Sequence, residues 1–559
     1  MNVTSSEPAA GALTTARTAA LADPDSLEQA GDDAIEQGNL ALAEMAFLKL
    51  CAAQPSAATH ARVYEVAAAR THYALAQRAL EALIDFEPNN VRALEHLAHM
   101  RGLTGDAPGA TDALRRALMI EPKNPTLATA YAIWAQECLD HFHEVPALLT
   151  KAAELDEDGA HLEQIVDALL YQQRFKDAEH YAGVFQARTG SLNPRMLRYL
   201  GVALAGQGRQ DEAREVFSAA IAACNELLPE KPASATQWRA MDTAEAQRQC
   251  ELYAFRARLE HQAGQSSSAM GTYGILRDAA EARGLSYPDG PQASTSARLG
   301  DLRRLIAGRD LAILCQGHSL ADFAARIGEL GTRNPAFASF GRFGVVEHDV
   351  LKPAHRALDI AVALGAGSVA GNLKHMKTFL QQSRRTMAIV SPDALDAAFD
   401  PESRAAFLSV NGNRLLAAAG NPLRSVTPDD PLGMIQENSL LAALPLLVAA
   451  RPKRVFLIGA DYAIPTSKTT SHFGIASKHF AARTSAEFAV LGNDTQQRDN
   501  FDTTMRFDAA TCDRDLGFQI AAVAALHGFA APPVFNVSCE SRLQSLPKIS
   551  LDAFFEMVG

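Results

Sequence analysis

A chain of 559 residues is longer than one hydrophobic core usually organises, so at least two domains are expected. Hydrophobic residues make up 48% and charged residues 21%, which excludes a disordered chain. A net charge of −12 without any lysine/arginine block argues against nucleic-acid binding, and no run of 18 apolar residues offers a membrane span.

In chain order, the first 24 residues are rich in Ala, Ser and Thr, with Arg17 as their only basic residue. They lack the continuous apolar stretch of a secretory signal and are read as a disordered tail. The seven cysteines (Cys51, Cys138, Cys224, Cys250, Cys315, Cys512 and Cys539) form no CxxC pair and no zinc spacing. Scattered thiols of this kind fit a reducing compartment, so a cytoplasmic location is expected.

Residues 25–285 carry an internal repeat. Ala43 to Pro55, Ala76 to Pro88 and Ala110 to Pro122 share one 12-residue spacing, and the successive prolines are 33 and then 34 residues apart. Small residues let two antiparallel helices approach, and a proline after the second helix stops it. Later copies centre on Ala178 and Ala213, and a last pair around Ala269 follows an insertion at 224–240. The stretch GDAPGATDALRRALMIEPKN, with Ala110, Ala117 and Pro122, resembles the tetratricopeptide repeat. That resemblance implies an α-helical superhelix of roughly seven helix pairs. Its groove is expected to hold a peptide or protein partner, the plainer alternative being a spacer or oligomerisation module.

Residues 286–300 are rich in Pro, Gly and Ser and read as a linker. From 301 to 559 the period changes. Apolar runs at 311–315, 358–364, 386–391, 454–462 and 533–538 alternate with helical patterns, which argues an α/β domain with a mostly parallel sheet. With a core in each half, residues 1–290 and 300–559 are expected to be expressible separately.

In such sheets ligands bind beyond the carboxyl ends of the strands. The first run ends in Gln316-Gly317-His318-Ser319-Leu320, a turn able to cradle a phosphate or simply to cap a helix with Ser319. Asn438 and Ser439 open an apolar helix, Asp461 ends the strand that follows it, and Thr470-Ser471-His472-Phe473-Gly474 lies just beyond. Asn536, Ser538 and Ser541 follow the last strand.

In that order these motifs resemble the bacterial sialyltransferase superfamily, which includes the motility accessory factor flagellin glycosyltransferases. Cys315 to Leu320 is similar to the family's Gly-Asn-Gly-Pro-Ser-Leu turn. Phe456 to Asp461 is similar to its Tyr-Leu-Ser-Gly-Ile-Asp strand, and Thr470 to Phe473 to its Asn-Ser-His-Tyr element. Asn536 to Leu543 matches its closing strand and Ser-x-Leu. Gln316 and His318 depart from the family's asparagine and proline, and Gly341-Arg342 stands where it often has asparagine.

The resemblance implies a protein O-glycosyltransferase. It would move a nonulosonic acid of the sialic, pseudaminic or legionaminic type from a CMP-activated donor to Ser/Thr of a protein acceptor, flagellin, docked by the repeats. His472 would be the general base, with His479 in reserve. The donor would be met by Gln316, Gly317, His318, Ser319, Arg342, Asn438, Ser439, Asp461, Asn536, Ser538 and Ser541. No metal or other cofactor is expected. Two alternatives stay open: a non-enzymatic scaffold or chaperone with a degenerate α/β domain, and a small-molecule sugar or diphospho transferase of the same superfamily.

Overall fold

The structure is a computed structural model. It describes residues 24–282 apart from 71, 104–105, 137, 139–140 and 191, then 299–315, 317–340, 346–363, 380, 386–390, 399, 401–417, 439–462, 495–526 and 528–558.

The first half consists of helical hairpins. They pair α1 (Pro24–Glu36) with α2 (Leu40–Ala53), α3 (Ala57–Ala69) with α4 (Tyr73–Phe86), and α5 (Val91–Leu103) with α6 (Ala107–Ile120). Next come α7 (Pro125–Gln136) with α8 (Val145–Leu155), α9 (Leu162–Tyr171) with α10 (Phe175–Thr189), and α11 (Pro194–Gly206) with α12 (Gln210–Leu227). A short helix, α13 (Ala235–Ala240), lies in the expected insertion before the last pair, α14 (Thr243–Gln262) with α15 (Ser266–Ala282).

The sequence explains both the helix ends and their closeness. Asn39, Ser56, Asp106 and Asn193 accept backbone N–H bonds at the starts of α2, α3, α6 and α11. The signature alanines Ala43, Ala76, Ala110, Ala117, Ala178, Ala213 and Ala269 are all at most 1% exposed, because only a methyl fits where the helices close on each other. Gly201 shows the limit of that fit. A Cβ there would come within 2.5 Å of the buried Phe217 ring. Gly201→Ala is therefore expected to cost about 1–3 kcal/mol, seen as a lower urea midpoint. An unchanged midpoint would mean that the ring can move aside.

Among the described residues the second half holds seven parallel strands: β1 (Asp310–Leu314), β2 (Ala336–Phe340), β3 (Ile360–Ala363), β4 (Met387–Val390), β5 (Leu415–Ala417), β6 (Arg454–Ile458) and β7 (Val534–Asn536). Their order across the sheet is β5-β4-β3-β2-β1-β6-β7. The chain thus builds outward from β1 to β5 and returns to lay β6 on the other side of β1. That reversal is a topological switch point, the place where ligands bind in open α/β sheets. The α-helices of this half among the described residues are α16 (Leu299–Ile306), α17 (Leu320–Arg326), α18 (Pro401–Asn411), α19 (Ser439–Ala449), the long α20 (Thr495–Leu526) and α21 (Leu551–Met557).

Alternate residues of β1 feed two separate cores, as expected of a strand buried on both faces. Ala312 and Leu314 join Phe323 of α17 and Phe554 and Phe555 of α21. Leu311 and Ile313 join a core that includes α16, α19 and α20 and extends into the repeats through Trp238, Tyr253, Ala257, Tyr273 and Leu276. The last repeat pair therefore covers part of one sheet face. Across this seam Arg258 of α14 donates to Asp515 of α20 at 2.6 Å, and Phe507 of α20 lies 5.9–6.0 Å from the rings of Tyr171 and Phe142.

Two expectations change here. Each half has core of its own, but one core is shared between them, so cutting near residue 290 exposes apolar surface on both sides. The segment drawn as a linker, 286–300, ends in structure, since Leu299 and Gly300 begin α16.

Candidate functional site

The switch point brings together two segments far apart in sequence. After β1, the Cys315 amide extends the ladder by donating to Ile458 O at 2.7 Å, and the Gly317 amide donates to Gly459 O at 2.8 Å. After β6, Gly459 takes φ +79°, and a Cβ there would sit 2.6 Å from Cys315 O. A Cβ on Gly317 would fall 2.5 Å from Gly459 O and nearer still to Asp461 Oδ2. Glycine at both places is what lets the two loops touch.

Asp461 is the centre of the contact, with its side chain fully buried. Its Oδ2 accepts the Ser319 amide at 2.8 Å and its Oδ1 accepts the Ser319 hydroxyl at 2.6 Å. The His318 ring stands beside it, with Nδ1 3.2 Å from Asp461 Oδ2 but not aligned as a hydrogen bond. His318 Nε2 points the other way, 3.4 Å from the exposed carboxylate of Glu540. Burial, and then the nearby Asp461 charge, push the Cys315 thiol up to about 12, so it stays protonated and is no nucleophile. Tyr462, directly after Asp461, sits at φ +51°, an uncommon conformation for a non-glycine residue.

The loop after β7 closes the other side. Asn536 Nδ2 donates to Ser541 Oγ at 2.8 Å, which donates to Ala460 O at 2.6 Å, and the Arg542 amide donates to Asp461 O at 2.9 Å. Helix α20 steadies both loops. Cys512 Sγ lies 3.4 Å from the Tyr462 hydroxyl, and Asp513 accepts the amides of Gln544 and Ser545.

These contacts revise several expected roles. Ser319 was to bind a donor phosphate, yet both its donors go to Asp461, and a carboxylate occupies the place of the anion. Gly317 likewise donates to Gly459 O. Asn536 and Ser541 were to face the donor, but both are buried and clasp the loops after β6 and β7 together. Ser538 is buried as well, and its carbonyl accepts the Ser541 amide at 3.4 Å. His318 alone among the described candidates is an imidazole standing between a buried carboxylate and an exposed one at the edge of this contact. Glu540, Cys512 and Asp513 carried no sequence signal. Gln316, Arg342, Asn438, His472 and His479 lie outside the described residues, and Ser439 is described only as the first residue of α19. Among the described residues no group of three or more potential ligands converges as for a metal ion. Nor, among them, is any helix long and apolar enough to cross a membrane.

A profile for the tetratricopeptide repeat matches residues 164–227, from α9 to the end of α12. The two hairpins from α9 to α12 thus match the tetratricopeptide repeat. Solved structures similar to this chain include a tetratricopeptide repeat protein from Parabacteroides merdae, with 12% identity over 47% of this chain and 93% of that one (TM-score 0.33). Another is pilF of Pseudomonas aeruginosa, with 17% identity over 39% and 93% (TM-score 0.29). A third is the assembly chaperone of RpL4, with 13% identity over 47% and 95% (TM-score 0.26). No curated protein sequence matches this chain.

Proposed function

We propose that this tetratricopeptide-repeat protein is a glycosyltransferase that moves a nonulosonic acid from a CMP-activated donor onto Ser/Thr of a protein acceptor, flagellin being the acceptor implied by the resemblance. The observation that carries the reading is the meeting of the β1 and β6 loops at the switch point, where Asp461 holds the Gly317–Ser319 turn. These are the segments whose sequence resembles the sialyltransferase superfamily. In this reading Asp461 is a positioning residue, His318 is presented to the donor, and His472 is the general base. The repeats hold the polypeptide acceptor, a role that suits stacked helical hairpins.

A second reading is favoured by one specific feature. The turn spends its donors internally, on Asp461 and Gly459, as a non-catalytic scaffold would tolerate. Calorimetry of the full chain with CMP, CDP, UDP and ATP separates the two, with a preference for CMP expected of the transferase. Intact mass of a co-expressed acceptor, with donor synthesis supplied, should then show added sugar. His472→Asn should lower turnover by about 10²–10⁴-fold while leaving CMP affinity intact, with His479→Asn as the matched control. Absence of any cytidine preference together with an unmodified acceptor would leave the scaffold as the function.

A further inference from the structure

Between the repeats and α20 lies a cavity of about 280 Å³. Its walls are apolar, with Leu170, Tyr171, Phe175, Val202 and Phe217 on the repeat side and Ala510 on α20. Gln262 and Arg514 also line it. Ligand pockets commonly run from ~300 to ~1,000 Å³, so this one suits a compound much smaller than a nucleotide sugar.

The charge around the cavity is unbalanced. Three guanidinium groups, Arg198, Arg258 and Arg514, gather about the Asp515 carboxylate. Arg258 donates to Asp515 Oδ2 at 2.6 Å, while Arg514 stays 3.8 Å from Oδ1. Asp167 acts on Arg258 as well. Arg198 Nε donates only to a neutral acceptor, Gln262 Oε1, at 3.3 Å, and that glutamine is itself part of the cavity wall. Burial, and then the like charge of Arg258, disfavour the charged form of Arg198. A cation held this way gains from an added anion, and an apolar wall beside it gains from a hydrocarbon.

We propose that this cavity binds a small carboxylate with an apolar tail, an aryl- or alkyl-carboxylic acid. The tail would fill the Leu170–Phe217 walls, and the carboxylate would meet Arg514 on the cavity wall, with Arg198 adding positive charge from behind Gln262. An amine would be repelled, and a neutral alcohol would leave the guanidinium groups as they are.

The test uses the full-length protein and a matched series of probes: 3-phenylpropionate, 3-phenylpropanol and 3-phenylpropylamine, followed by calorimetry. The acid is expected to bind about 10–100-fold more tightly than the alcohol, the range for a hydrogen bond to a charged group. The amine is expected not to bind. Arg514→Gln should remove the advantage of acid over alcohol without moving the thermal midpoint by more than a few degrees. Ala205→Trp, which fills the cavity, should abolish binding of acid and alcohol alike. Equal affinity for acid and alcohol, no binding of any probe, or acid binding that survives Ala205→Trp would each overturn the proposal. Should the tryptophan variant fail to fold, the wild-type probe series and Arg514→Gln still decide. None of these readouts involves sugar transfer, so the outcome does not depend on the proposed enzymatic function.

Discussion

Asp461→Ala is expected to loosen the switch-point turn, with the largest loss of any single substitution at the candidate site. The carboxylate accepts two hydrogen bonds from Ser319, one from the amide and one from the hydroxyl, and does so out of contact with solvent. Bonds to a charged group contribute roughly 1.5–3 kcal/mol each, so about 3–5 kcal/mol is at stake once their lack of additivity is allowed for. The substitution also strands the Ser319 amide and leaves His318 without the group that lies against Nδ1. Asp461→Asn separates shape from charge: it keeps one acceptor oxygen and the volume, and should lose about half as much. Urea unfolding gives the stability term, and amide exchange at Ser319 should rise in Asp461→Ala. A variant within about 0.5 kcal/mol of the parent, the usual range for surface changes, would mean that the Gly317–Gly459 bond alone holds the turn.

How much of this was legible in the sequence depended on the range of each interaction. The repeat was readable because its period is local. Ala43, Ala76 and Ala110 mark helix contacts, and Pro55, Pro88 and Pro122 each fall two residues after a helix ends. Most strands were readable as buried apolar runs, but β2 (Ala336–Phe340) and the three-residue β5 were not among those runs. The neighbours of Asp461 were a different matter. Its partner Ser319 is 142 positions away, and they meet only because β6 returns beside β1. The sequence placed Asp461 at a strand end among the donor-facing residues, whereas its carboxylate goes to the neighbouring loop. The same remoteness hid the clasp between Asn536, Ser541 and the Ala460 carbonyl. Polar residues after a strand look alike whether they face a ligand or hold loops together. The seam between the halves was the least visible feature. Its helices α14 and α20 carry little amphipathic pattern, so nothing in either sequence says which face meets the other half.

Arg258→Met and Asp515→Leu are each expected to destabilise the whole chain by about 3 kcal/mol, because each removes the hydrogen-bonded partner of a buried charge in the shared core. The two positions are 257 residues apart, so the loss registers on both halves at once. The double variant should lose less than the two single losses added together, since the pair is replaced by apolar groups while Arg198 and Arg514 still lose the carboxylate. Unfolding followed by urea should show one transition for repeats and sheet together. Silent single variants, or two separate transitions in the parent, would mean that the halves are independent. The pH dependence has a definite sign. Burial by itself would raise the Asp515 pKa, but Arg258, Arg514 and Arg198 together hold it well below the usual carboxylate range. Its contribution is therefore complete above the unfolded value of about 3.9 and is lost as pH falls through the lower folded value. The difference between parent and Asp515→Leu should accordingly be constant from pH 6 to 8 and shrink progressively in acid, below about pH 4. Helix α20 carries the effect further. Cys512, Asp513 and Asp515 lie on one turn and touch Tyr462, the Gln544–Ser545 amides and Arg258 in that order. Releasing Asp515 should thus also raise amide exchange at Gln544 and Ser545, beside the switch point, even under conditions where the chain remains folded.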